Sequence, residues 1–334
     1  MIHRPLSVAF VLLVALATGG CSGSDGGGSD VPTLDGDLAD TVGGSDAARP
    51  DTATSPDGAK PGDTATSDSA TSDTAIADTK PASDAGTDAD PATRPGWTLT
   101  FRDEFDAKDG TPVDGTKWVH ETGGGGWGNA EREYYTSDVR NSVQRGGNLV
   151  ITATKDGIAG LSCWYGACQY TSARLITKGK FTQKEGRFEA KIKIPGGQGL
   201  WPAFWMLGSD INTVPWPKCG EIDIMEHINT DSIIYGTMHW DNNGHVQEGS
   251  HTTSSPSAYH VYRIEWTKIG IKWSIDSMQF YQSDSFTNGS EECQAPFFLL
   301  LNVAVGGNWP GQDIDDSLLP AKMYVDYVRV YQKK

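Results

Sequence analysis

The chain has 334 residues, 43 acidic and 27 basic side chains, and a net charge of −16. This acid surplus, with no basic stripe anywhere, excludes a nucleic-acid partner. No stretch after residue 21 is apolar for long enough to cross a bilayer as a helix.

Residues 1–21 read as a targeting segment. His3 and Arg4 make a short basic start, Pro5 to Leu16 is an apolar run too short to span a membrane, and small residues lead to Cys21. This pattern is similar to a bacterial lipoprotein signal, in which the cysteine becomes the lipidated first residue of the mature protein. It departs from that pattern in carrying Thr18 where leucine is usual. Ordinary secretory cleavage beside a stray cysteine is the other reading, and the mass of the mature N-terminus separates the two. Either reading exports the protein. With Cys21 lipidated, the N-terminal anchor is the chain's membrane contact, and Ser22 after it leans toward an outer membrane.

Residues 22–95 are almost entirely Asp, Thr, Ser, Ala, Gly and Pro, without an aromatic residue. Fifteen Asp face four basic residues here, so the tract holds eleven of the sixteen net negative charges. Such a stretch cannot bury enough apolar surface to offset its ordering entropy, and disorder is expected. Its mean reach as a flexible chain is roughly 45–50 Å. It reads equally as a tether that lifts a domain off a membrane and as a linker of no set length.

Residues 96–334 have the length of one domain and the signals of strands. Asn148–Thr154 is rich in β-branched residues. Gly186–Pro195 alternates, with Phe188, Ala190, Ile192 and Ile194 on one face and Arg187, Glu189, Lys191 and Lys193 on the other. Ile233–Trp240, His260–Trp266, Ile271–Ile275, Phe297–Val305 and Tyr324–Tyr331 follow, separated by Gly, Asn, Pro and Asp clusters. No stretch of helical period with caps stands out. Many short strands between turns predict an all-β, antiparallel β-sandwich. The 11 Trp and 11 Tyr lie nearly all in this domain, more than a core requires; flat aromatic faces with polar edges suit a sugar-binding groove. Cys163 and Cys168 can close a small loop as a disulfide in an exported protein. Spacing leaves Cys219 and Cys293 open as a pair or as two buried thiols. No zinc-type spacing is present.

The most informative segment is Cys219-Gly220-Glu221-Ile222-Asp223-Ile224-Met225-Glu226-His227. In a plain strand Glu221 and Asp223 share a face with period two, and Glu226 falls on the isoleucine face, burying a charge. A one-residue β-bulge near Ile224 or Met225 returns Glu226 to the acid face. Two carboxyls on one face suit retaining glycoside cleavage, which needs them about 5–5.5 Å apart. Crowding keeps one of them protonated as the acid. The bland alternatives are an acid-rich edge strand and a calcium-binding surface.

Glu221 to Glu226 resembles the signature Glu-x-Asp-x-x-Glu of glycoside hydrolase family 16, in the longer form of the laminarinase branch. Gly123–Trp127 with Asn129, Tyr134–Thr136, Tyr170–Arg174, Gly199–Leu207, Gly236–Trp240, Leu301–Gly311 and Val325–Tyr331 carry the resemblance through the rest of the domain. It implies a jelly-roll, concanavalin-like sandwich with a substrate groove on the concave sheet. It also implies endo-acting, retaining hydrolysis of β-1,3-glucan or mixed β-1,3/1,4-glucan by a monomer. Other family chemistry on agarose or carrageenan, transglycosylation, and sugar binding without catalysis are the competing readings. The implied roles are Glu221 as nucleophile, Glu226 as acid/base and Asp223 as the assisting carboxylate. Trp201 and Trp205 would stack sugars, His239 would lie close to the acid/base, and Trp127, Asn129, Arg174 and Trp309 would line the groove. No cofactor is implied for catalysis. A structural calcium is implied at Glu104, the Gly147 carbonyl and Asp326, an oxygen-only set that suits that ion.

Overall fold

The computed structural model describes residues 92–283, 286 and 290–334. The targeting segment with Cys21, and all but the end of the acidic tract, lie outside the described residues. At the start of the described residues, Ala92 is buried and Arg94 pairs with Glu189 at 3.3 Å.

In chain order the strands are β1 (Trp97–Asp103), β2 (Val119–Glu121), β3 (Glu133–Tyr135), β4 (Ser142–Arg145), β5 (Asn148–Ala153), β6 (Ser162–Cys163), β7 (Gly166–Ala167), β8 (Tyr170–Ser172), β9 (Arg174–Ile176), β10 (Gly186–Lys193), β11 (Leu200–Gly208), β12 (Glu221–Glu226), β13 (Ile233–Asp241), β14 (His245–Thr253), β15 (His260–Thr267), β16 (Gly270–Ile275), β17 (Met278–Gln282), β18 (Phe297–Val305) and β19 (Ala321–Lys333). Helix among the described residues is limited to two short 3-10 turns. One antiparallel sheet runs β17-β16-β15-β10-β19-β5-β4, with β1 on the far half of β19. The other runs β14-β13-β12-β11-β18-β9-β2. The fold is the antiparallel β-sandwich expected, of jelly-roll type.

The core lies between the two sheets. Phe188, Ala190 and Ile192 of β10 are fully buried in it, and burying a large apolar side chain contributes roughly 1.5–3 kcal/mol. Strand β18 shows no alternation because both of its faces are covered. Phe297, Leu299, Leu301, Val303 and Val305 join the central core, while Phe298 and Leu300 pack in a second cluster with Leu207 and Cys219. That second face belongs to the sheet surface carrying the acids, and Asn302 interrupts it.

Strand β12 has the bulge. Against β11, Trp205 pairs with Asp223 and Phe204 with Met225; against β13, Asp223 pairs with Thr237 and Glu226 with Tyr235. One extra residue therefore sits between Asp223 and Glu226. Ile222, Ile224 and Met225 all reach the core, and the three acids share the opposite face. Trp273, from the facing sheet, donates its indole N–H to the Asp223 carbonyl at 2.8 Å, beside the bulge. Gly236 makes room for that indole, since a Cβ there would lie 2.5 Å from Trp273 Cδ1. The bulge is thus supported from inside the sandwich by a hydrogen bond that only a bare backbone at 236 permits.

Candidate active site

Neighbouring strands hold the acids. Trp201 on β11 donates its indole N–H to Glu226 Oε1 at 3.0 Å. Trp216, in the loop before β12, does the same to Glu221 Oε2 at 3.0 Å. His239 on β13 pairs in register with Glu221. Its Nε2 stands 3.1 Å from Asp223 Oδ2 and 3.7 Å from Glu221 Oε1. This nitrogen thus faces Glu221 and Asp223, while Trp201 is the polar partner of Glu226. His239 Nδ1 hydrogen-bonds His245 Nε2 at 2.9 Å, and the His245 ring lies 4.6 Å from that of Trp216.

Burial makes ionisation expensive here. It pushes Glu221 up to about 8, helped by the neighbouring Asp223 and opposed by His239. It also pushes Glu226 up to about 8, again with Asp223 adding and His239 opposing. Asp223, 2% exposed, is raised well above the carboxylate range by burial. The site therefore keeps protons up to neutral pH, which serves the acid role, while acid-assisted displacement at an acetal also needs one of the glutamates as a carboxylate. Glu221 is the better placed to carry the charge, with His239 3.7 Å away and the Trp216 N–H upon it. Ligand atoms of Glu221, Asp223 and His239 also lie within 4.8 Å of one another, so these three side chains can coordinate a metal ion.

The expected groove residues gather on either side of the acids. On the Asp223 side, the Arg174 guanidinium lies between two indoles, 4.9 Å from the Trp127 ring and 4.8 Å from that of Trp205. Glu121 accepts from Arg174 Nε at 2.6 Å. On the Glu226 side, Trp309 meets Trp201 edge-on at 5.4 Å and Tyr235 at 4.9 Å. This cover leaves Trp201 only 8% exposed, so it serves Glu226 as a hydrogen-bond donor more than it offers an open stacking face. Asn129 sits in the wall between the two sides. Its Nδ2 donates to Glu131 Oε1 at 3.3 Å and its carbonyl accepts from the Asn308 N–H at 2.7 Å.

Sequence reasoning missed several supporting residues. Trp205 Nε1 donates to Asn302 Oδ1 at 2.7 Å, Asn302 Nδ2 to the Tyr135 hydroxyl at 3.1 Å, and that hydroxyl to Glu131 Oε2 at 2.9 Å. Glu133, fully buried beside Glu131, is raised well above its ordinary range by burial and by that neighbour. Its Oε2 accepts from the Val305 N–H at 2.6 Å. A relay of buried polar groups therefore fixes the Trp205 ring from behind. Its visible signal is the pair Glu131 and Glu133 next to two tyrosines, a density of charge unusual beside buried aromatics. Trp216 lies in a loop and His245 opens β14, neither within the segments that the sequence marks, and folding brings them in.

Cys163 and Cys168 are bonded, and Cys219 and Cys293 are buried free thiols rather than a pair. Far from the groove, Glu104 is forked by Arg329, at 2.8 Å to Nε and 2.7 Å to Nη2. Asp326 pairs with Lys191 at 2.8 Å. Gly147 precedes β5, which borders the same strand, β19.

Residues 129–329 match the profile of glycosyl hydrolases family 16. The beta-glucanase of Rhodothermus marinus is 39% identical over 71% of this chain and 86% of its own. The alpha subunit of clotting factor G from Tachypleus tridentatus is 40% identical over 71% of this chain, which spans about a third (34%) of that longer protein. The X-ray structure of the laminarinase from Rhodothermus marinus superposes with a TM-score of 0.64 at 39% identity, covering 71% of this chain and 97% of that one. The bulged acidic strand and the aromatic walls thus sit in a chain whose profile match runs from Asn129 to Arg329, and the chain belongs to glycosyl hydrolases family 16.

Proposed function

We propose that residues 96–334 hydrolyse β-1,3-glucan at internal bonds with retention of configuration. The observation that carries this reading is the bulge in β12, which turns Glu221, Asp223 and Glu226 onto one face between two aromatic walls. The names of the relatives, beta-glucanase and laminarinase, supply the substrate class. Glu221 attacks the anomeric carbon while Glu226 protonates the departing oxygen. Glu226 then takes a proton from the water that releases the glycosyl-enzyme. Asp223, held by His239, keeps charge away from Glu226 during the first step.

Digestion of laminarin, lichenan, agarose, carrageenan and cellulose with sizing of the products tests the reading. Laminarin is expected to fall to a ladder of short oligosaccharides from the first minutes. Glucose released alone from chain ends, or cutting confined to agarose or carrageenan, would strike the reading down.

A structural calcium at Glu104, Gly147 and Asp326 is proposed alongside. Strands β1 and β5 flank β19 there, pairing Asp103 with Val328 and Leu149 with Val325, so topology gathers the three oxygen donors around one stretch. The ion would compete with Arg329 and Lys191 for the two carboxylates. Chelation is expected to lower Tm by about 5–10 °C, restored by added calcium. An unchanged Tm would mean that these donors hold no ion.

A further inference from the structure

The hairpin β6–β7 carries Trp164 and Tyr165 at its tip, closed by the Cys163–Cys168 disulfide. Trp164 is 52% exposed, an unusual setting for an indole that is otherwise held so firmly. Its backbone N–H donates to the Gly124 carbonyl at 2.8 Å, and its Nε1 donates to the Glu131 carbonyl at 2.7 Å. Its pyrrole edge rests on Gly126, where a Cβ would lie 3.0 Å from Trp164 Cδ1. A Cβ at Gly124 would lie 2.6 Å from Cys163 Sγ. These two glycines let the hairpin close on the loop that carries Trp127. Tyr165 is fixed too, with its hydroxyl donating to the Arg132 carbonyl at 2.6 Å and the Arg132 guanidinium 4.4 Å over its ring.

A side chain anchored at one edge and open elsewhere has lost its rotamer entropy before any ligand arrives. Gly126, on which it rests, directly precedes Trp127, whose ring leads through Arg174 to Trp205. An aromatic surface of this kind suits the C–H face of a pyranose. We propose that Trp164, on its disulfide-closed hairpin, is an outlying sugar-binding platform that holds a β-glucan chain where it leaves the groove. This rests on the glucan-hydrolase reading above and adds a subsite remote from the acids. Such a platform helps only substrates long enough to touch it, so its energy appears in polymer binding and not in the chemistry at the cleaved bond.

The test compares Trp164→Ala and Trp164→Phe with the unaltered protein on laminarin and on laminaritetraose. For Trp164→Ala, KM on laminarin is expected to rise roughly three- to tenfold, with kcat held and kcat/KM on the tetraose held. Trp164→Phe keeps a flat ring without the anchoring N–H, and most of the laminarin KM is expected to return. Equal losses on both substrates, tracking a lower Tm, would make Trp164 a prop for the loop and overturn the proposal. No change on laminarin would overturn it as well. Unaltered protein that leaves laminarin uncut would instead overturn the functional reading, and the two failures are distinct.

Discussion

Glu221→Gln is expected to lower kcat on laminarin by at least about 10⁴-fold, and Glu226→Gln by about 10²–10⁴-fold, the usual worth of a positioned acid/base. The two differ because an amide at 221 cannot form the glycosyl-enzyme, whereas one at 226 fails only to supply a proton. A β-glucoside with a phenol leaving group needs little protonation. Glu226→Gln is therefore expected to recover most of its first-step rate on that substrate, and Glu221→Gln none. Each substitution keeps the shape and the hydrogen bond from Trp216 or Trp201, so the fold should hold, and a circular dichroism melt checks it. Near-native turnover by either variant would remove the assignment of roles.

Asp223→Asn and Glu221→Gln are expected to make the protein more stable at pH 8, and this is the second large effect. All three acids bind protons more tightly in the folded chain than in the unfolded one, because burial raises them and the neighbouring Asp223 adds repulsion at the two glutamates. Their contribution is complete below the ordinary carboxylate range near pH 4 and is lost as pH climbs through the raised folded values, about 8 for each glutamate. At pH 8 the trio therefore costs stability, and an uncharged isostere removes part of that cost. Each tenfold gain in proton affinity on folding corresponds to about 1.4 kcal/mol, and the three acids titrate together, so their effects do not add. A gain of about 1–3 kcal/mol at pH 8, or about 2–10 °C in Tm, is expected, and little or none at pH 4. A melt series over that range measures it; an equal gain at both ends would mean that packing, not charge, is responsible. Activity shares the dependence. It should fall as pH rises past about 8, where Glu226 gives up its proton.

Much of this molecule is legible in its residues, for reasons that differ by element. Phe297–Val305 is delimited to the residue because it is apolar but for Asn302, although the lack of alternation hides which side faces the acids. Although its polar face is not the wet one expected, Glu189 being fully buried there and paired with Arg94 and Arg187, Gly186–Lys193 is legible through alternation. His245–Thr253 is not, since an edge strand of polar, half-exposed residues lacks both signals. The three acids stand out because charge inside an apolar strand conflicts with burial, and only a bulge resolves the conflict. Trp216, His245 and the Asn302–Tyr135–Glu131 relay cannot be found the same way. They support the site from other strands and loops, and their distance along the chain carries no periodic mark. The aromatic surplus points to a groove, but it does not show that Trp201 lies under Trp309, which Tyr235 meets in turn.

The supernumerary residue of β12 also sets which kinds of genetic change this enzyme can survive. Exchanging Ile222, Ile224 or Met225 for another hydrophobe of similar bulk alters core volume by a methylene or two, a loss typically below about 1.5 kcal/mol. Deleting either of residues 224–225 keeps every remaining side chain yet inverts the parity of the strand, so that Glu226 would swing toward Trp273 and the interior. A catalogue of viable variants should therefore be rich in point replacements at Ile222, Ile224 and Met225 and empty of single-codon losses in this hexapeptide, the inverse of what exposed loops permit.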